Sequence, residues 1–96
     1  MNIDSLLDRL RAMKPRLAAQ YRVKEIGLFG SFVRGEQSDG SDIDLLVEFE
    51  EGADLFDLAG LSLDLEELLH RKVDVVSKHS LRVELRESVL QELVAV

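Results

Sequence analysis

The run "DIDLLVEFE", Asp42 to Glu50, constrains the fold of this chain more than any other stretch. Its apolar body reads as a strand, yet it begins with two carboxylates on alternate residues, Asp42 and Asp44. Side chains alternate faces along a strand, so both acids project from one face, about 7 Å apart. Like charges so placed raise each other's pKa and cost stability unless a cation lies between them. Their oxygens suit a hard ion such as Mg²⁺, which takes one or two carboxylates, keeps waters and accepts substrate phosphates.

Asp74 repeats the oddity, an acid inside the short β-branched run "KVDVVS". Taken alone it also reads as a charge guarding an edge strand. If this third strand pairs beside the second, Asp74 points into the same patch. Three carboxylates on neighbouring strands could then hold two metal ions, an arrangement that serves phosphoryl chemistry. Upstream, "VKEIGLF" is a short strand that ends at Gly30-Ser31. A glycine there, followed by one helical turn over Ser31 to Arg34 and ended by Gly35, lets backbone N–H groups approach an anion. Gly30 and Ser31 thus form a candidate cradle for the β- and γ-phosphates of a nucleotide. Arg34 is placed either to share that phosphate charge or to pair with Glu36.

The remaining elements surround these strands. Residues 3–20 carry apolar positions at helical spacing, and Pro15 should kink or split that helix. Residues 54–70 carry a second stripe, at 55, 58, 61, 65, 68 and 69, expected to be core. Ser80 is placed to cap a last helix bearing Leu81, Leu85, Val89, Leu90 and Leu93. Its apolar tail is either core or an interface. The order α-β-(α)-β-α-β-α implies an α/β (α+β) fold, a small mixed sheet flanked by helices, as a single domain over residues 1–96.

Composition narrows the function. The chain has no cysteine, which excludes disulfides and thiolate metal sites. No signal peptide and no membrane-spanning run is evident, so a cytoplasmic protein with no membrane partner is expected. The net charge is −7, and residues 36–57 hold nine acids without a Lys or Arg. Such a surface repels phosphates, so nucleic acid is a disfavoured partner. A basic patch from Arg11, Lys14, Arg16, Arg22 and Lys24 is the one feature against that reading. A Gly-Lys-[Ser/Thr] P-loop is missing, and Gly27, Gly30 and Gly35 do not make a dinucleotide fingerprint.

The segment "GSFVRGEQSDGSDIDLLVEF" resembles the signature of the minimal nucleotidyltransferases of the DNA polymerase β superfamily. That signature is Gly-Ser, ten residues, then Asp-x-Asp, and here Gly30-Ser31 and Asp42-Ile43-Asp44 match it without a gap. The later strand acid matches Asp74. The resemblance implies a polymerase-β-like fold with Asp42, Asp44 and Asp74 as catalytic metal ligands. It further implies ATP as substrate, two Mg²⁺ ions (Mn²⁺ a substitute) and Gly30, Ser31 and Arg34 at the nucleotide. Such stand-alone domains commonly serve as antitoxins of two-gene pairs. The implied partner is a HEPN-type ribonuclease toxin, whose tyrosine hydroxyl receives AMP.

Nucleotidyl transfer also needs an acceptor beside the nucleotide, and this chain spends nearly all its residues on the sheet and its covering helices. Another protein or another copy must complete the acceptor site, so a homo-oligomer stays open. Two other classes stay open too: an antitoxin acting by contact alone, and a nucleotidyltransferase subunit for a small-molecule acceptor.

Overall fold

The computed structural model describes residues 1–96. Helix α1 (Ile3–Tyr21) leads into strand β1 (Val23–Phe29), the single turn α2 (Ser31–Arg34) and strand β2 (Ile43–Phe49). Helix α3 (Leu55–Leu69), strand β3 (Val73–Ser77), helix α4 (Val83–Glu92) and strand β4 (Val94–Ala95) follow. A short 3-10 turn, Lys78–Ser80, joins β3 to α4. The strands form one mixed sheet in the order β3-β2-β1-β4. β1 runs antiparallel to β2 and β4, and β2 runs parallel to β3.

Alternation along the strands divides the sheet into two faces. Ile43, Leu45 and Val47 of β2, with Val73 of β3, pack against Leu6, Leu10 and Leu17 of α1 and Leu61 and Leu65 of α3. Leu46 points the other way, into a small cluster with Leu81 and Val89 under α4. Burial of these side chains is the main stabilising term, worth about 1.5–3 kcal/mol for each large residue. Asp44 and Asp74 belong to the α4 face by the same two-residue period.

Several expectations need correction. Pro15 does not split α1, which is one helix from Ile3 to Tyr21. Leu10 and Leu17 are fully buried on either side of it, and that packing outweighs one missing backbone hydrogen bond. Leu55 is not core: it is 79% exposed in the first turn of α3, beyond the sheet. Ser80 does not cap α4; it lies in the 3-10 turn, and the N-cap position falls to Arg82 after Leu81 tucks into the sheet. The apolar tail contributes a strand, β4, that periodicity did not suggest. Part of the acidic run has a local role, since Asp54 and Asp57 form a reciprocal capping box at the start of α3.

The cations once considered as a patch each have a partner. Lys14 pairs with Glu25 at 3.3 Å, Arg16 with Asp64 at 3.0 Å and Lys24 with Glu48 at 3.8 Å. Arg22 donates to the Gly52 carbonyl at 2.7 Å, and Arg11 to that of Ala95 at 3.1 Å.

Candidate active site

The acids gather where β2 and β3 begin. Asp42 stands one residue before β2, and Asp44 lies within it. The parallel register sets Asp44 directly beside Asp74, and the antiparallel register sets Phe29 on the other side of Asp44. Asp44 is half-buried while Asp74 is exposed. Burial pushes the Asp44 carboxyl above its ordinary range, and the charges of Asp74 and Asp42 push it further. The sole opposing influence is Arg34. The patch therefore has the electrostatics of a cation site, one in which a divalent ion would relieve the repulsion. No three of the acids close round one point as a ready-made shell. That suits an ion whose remaining positions are filled by waters and substrate phosphates.

Gly30 follows Phe29 and turns the chain away from the sheet. Its φ of 83° lies in the region that favours glycine, and a Cβ there would fall on the Asp44 carboxylate. Glycine is thus required twice, for the turn and for the approach of the two halves of the motif. Ser31 begins α2, and Arg34 ends it, with Gly35 in the left-handed conformation as its C-cap. The cradle is not free of protein anions. Glu92 at the end of α4 accepts from the Gly30 N–H at 2.8 Å and from Arg34 Nη1 at 3.2 Å. Arg34 also pairs with Glu36 at 3.3 Å, as the sequence alternative had it.

Two residues with a place at the site were not singled out from the sequence. Glu92 lies 62 residues from Gly30 and carries no local signal. Arg71 donates to the carbonyls of Ser38 at 3.2 Å and Ser41 at 3.1 Å, and its guanidinium lies 5.3 Å from the centre of the Phe32 ring. It thereby ties the loop that delivers Asp42 to the turn that carries Ser31. The only hint was the basic pair Arg71-Lys72 just before a strand.

The acidic end of the sheet is open. The largest cleft, about 540 Å³, lies at the far ends of β2 and β3, lined by Phe49, Leu58, Ser77 and His79 among others. None of the clefts includes Gly30, Ser31, Asp42, Asp44 or Asp74. A site for small-molecule capture is ordinarily concave, and the acid patch lies outside these clefts.

Similarity to known proteins agrees with the geometry. The profile of the nucleotidyltransferase domain family matches residues 5–96. The protein adenylyltransferase MntA of Thermococcus cleftensis is 42% identical over 96 residues, which span 100% of this chain and 97% of that protein. A solved structure assigned as a minimal nucleotidyltransferase has a TM-score of 0.86 and 44% identity, covering 100% of this chain and 97% of the other. A crystal structure of a toxin-antitoxin with AMP-PNP has a TM-score of 0.72 and 27% identity, over 88% of this chain and 69% of that one. No helix of this chain is long and apolar enough to cross a membrane. With the Gly-Ser turn, the paired strand acids and the mixed sheet all in place, the chain belongs to the nucleotidyltransferase domain family, as one of its minimal nucleotidyltransferases.

Proposed function

We propose that this protein is a protein adenylyltransferase and the antitoxin of a two-gene pair. It moves AMP from ATP to a tyrosine hydroxyl of a HEPN-type ribonuclease toxin and so neutralises it. The observation that carries the reading is the register of Asp44 beside Asp74, with Gly30 packed against the Asp44 carboxylate. The relative that is a protein adenylyltransferase and the neighbour that is a toxin-antitoxin support the choice of acceptor.

In the transfer, the acceptor oxygen bonds to the α-phosphorus, the bond to the bridging oxygen breaks, and pyrophosphate leaves. The hydroxyl proton is released to solvent. Asp42, Asp44 and Asp74 would hold Mg²⁺, two ions at full occupancy with Mn²⁺ as a substitute. Bound there, the metal supplies Lewis acidity toward the attacking and leaving oxygens. The chain's own part is to position. Gly30, Ser31 and Arg34 take the β- and γ-phosphates through N–H, hydroxyl and guanidinium donors, and Arg71 holds the approach to Asp42. The open acidic end is where the partner's surface would complete the acceptor site. On this reading residues 1–96 act as one nucleotidyltransferase domain in the cytoplasm.

The test is incubation with labelled ATP, Mg²⁺ and the candidate toxin. Label should appear on a toxin tyrosine with release of pyrophosphate, and Asp74→Ala should bind ATP yet transfer nothing. If the wild-type protein protects cells without labelling the toxin, and Asp74→Ala protects equally well, the antitoxin acts by contact alone. Label found only on a small molecule would instead make the chain a subunit for that acceptor.

A further inference from the structure

Two of the three residues assigned to the phosphate cradle already hold an anion. Glu92 Oε1 accepts from the Gly30 N–H at 2.8 Å and from Arg34 Nη1 at 3.2 Å, and Oε2 lies 3.4 Å from that same Nη1. A carboxylate offers these donors two oxygens and a negative charge, as one face of a phosphate does. Gly30 has a single N–H, so it cannot serve Glu92 and a phosphate at full strength together.

We propose that Glu92 is an internal competitor for the β- and γ-phosphates and so sets how tightly the site holds ATP and pyrophosphate. The proposal rests on the nucleotide-transfer reading above. A polyphosphate that takes the Gly30 N–H and Arg34 must displace the carboxylate, whose charge then repels it until the side chain turns away. That turn needs no backbone movement. Leu93, the next residue, sits against Gly27, and Val94 and Ala95 pair with Leu28 and Gly27 of β1, so the chain on that side of Glu92 is anchored. The Glu92 side chain is 24% exposed, which leaves it a path to solvent. AMP has no β- or γ-phosphate to place in the cradle and escapes the competition. When pyrophosphate departs, Glu92 takes back both donors, so product release leaves no unsatisfied group behind. The arrangement trades affinity for turnover.

The experiment measures binding of ATP, pyrophosphate and AMP to the whole protein with Mg²⁺ by titration calorimetry. Wild type is compared with Glu92→Gln, Glu92→Ala and Glu87→Gln. The last removes the same unit charge from an exposed position on α4. Circular dichroism checks that each variant is folded. Glu92→Ala should bind ATP and pyrophosphate about tenfold more tightly, as expected for loss of a charge-assisted competitor. Glu92→Gln should gain less, because its amide oxygen still accepts from Gly30. AMP affinity should not change, and Glu87→Gln should stay within about twofold of wild type, since exposed charge is screened. Equal ATP affinity in all four proteins would remove the competition and leave the nucleotide site standing. Weaker binding in both Glu92 variants would make Glu92 a support for Arg34 and overturn the proposal. Folded proteins that bind neither ATP nor pyrophosphate, whatever stands at 92, would overturn it together with the nucleotide-transfer reading.

Discussion

Asp44 and Asp74 are register partners across the parallel β2–β3 pair, two carboxylates side by side on one face of the sheet. Hydrogen bonding of the strands fixes the separation of their backbones, so the two carboxylates stay neighbours.

A divalent ion should therefore stabilise the folded state. At ten times its Kd, Mg²⁺ adds about 1.4 kcal/mol, a rise in Tm on the order of 5–10 °C for a domain this small. The response should vanish in the Asp42→Asn, Asp44→Asn double variant, and differential scanning fluorimetry with and without EDTA reads both. A double variant that still responds like wild type excludes the acid patch as the site.

The metal-free protein should show the opposite sign in its pH dependence at Asp44. Its folded pKa is raised, so the ionised form is the disfavoured one in the fold. Stability from this group is therefore greatest at low pH and is lost as pH rises from the ordinary carboxylate range through the raised folded value. Asp44→Asn should be as stable as wild type near pH 3 and more stable at pH 7 in EDTA. Urea titrations at the two pH values test it, and an Asp44→Asn protein less stable at pH 7 refutes it.

Substitution at Gly30 should damage the fold as well as the cradle. Gly30→Ala meets both the positive φ and the Asp44 carboxylate, and should cost about 1–3 kcal/mol. Ser31→Ala should leave the urea midpoint unchanged and weaken ATP binding by about 1 kcal/mol, roughly fivefold. A Gly30→Ala protein of native stability would show that the turn is looser than the structure has it.

Arg71 should act on rate rather than on binding. Arg71→Lys loses the fork that spans the Ser38 and Ser41 carbonyls and much of the stacking on Phe32. We expect kcat to fall about tenfold with KM near wild type, because misplacing Asp42 harms chemistry before it harms nucleotide contact. A rise in KM with kcat unchanged would place Arg71 at the nucleotide instead.

Asp64 offers a control far from the chemistry. Its carboxyl is held below the ordinary range by hydrogen bonds from Arg16, 3.0 Å, and Tyr21, 2.9 Å. That contribution is present above the unfolded-state pKa and disappears as pH falls through the lowered folded value. Asp64→Asn should cost about 1 kcal/mol at pH 7 and less in strong acid, with nucleotide binding unaffected.

Strands β1 to β3, the Gly-Ser turn and the order of helices were legible because each carries a local signature. "VKEIGLF" begins and ends where β1 does, and Gly35 closes α2 as its position suggested. What was hidden depends on contacts between distant residues. Val94–Ala95 looks like a continuing helix until it is seen pairing with β1. Gly30 advertises a tight turn, but only the paired strands reveal that Asp44 occupies the space its side chain would need. Glu92 resembles any surface glutamate on an acidic helix until α4 is laid over the sheet.

The pairing of β1 with β4 also bears on folding. β1 meets β2 across a short connection, whereas its Gly27–Ala95 partnership joins residues 68 apart. Contacts of such long sequence separation demand more loop-closure entropy. The β1–β2 pair with α1 against it would consolidate first, and α4 with β4 would dock onto a sheet already formed. The acid patch would thus exist before Glu92 arrives, and a nascent chain would present its cradle unguarded for a brief interval.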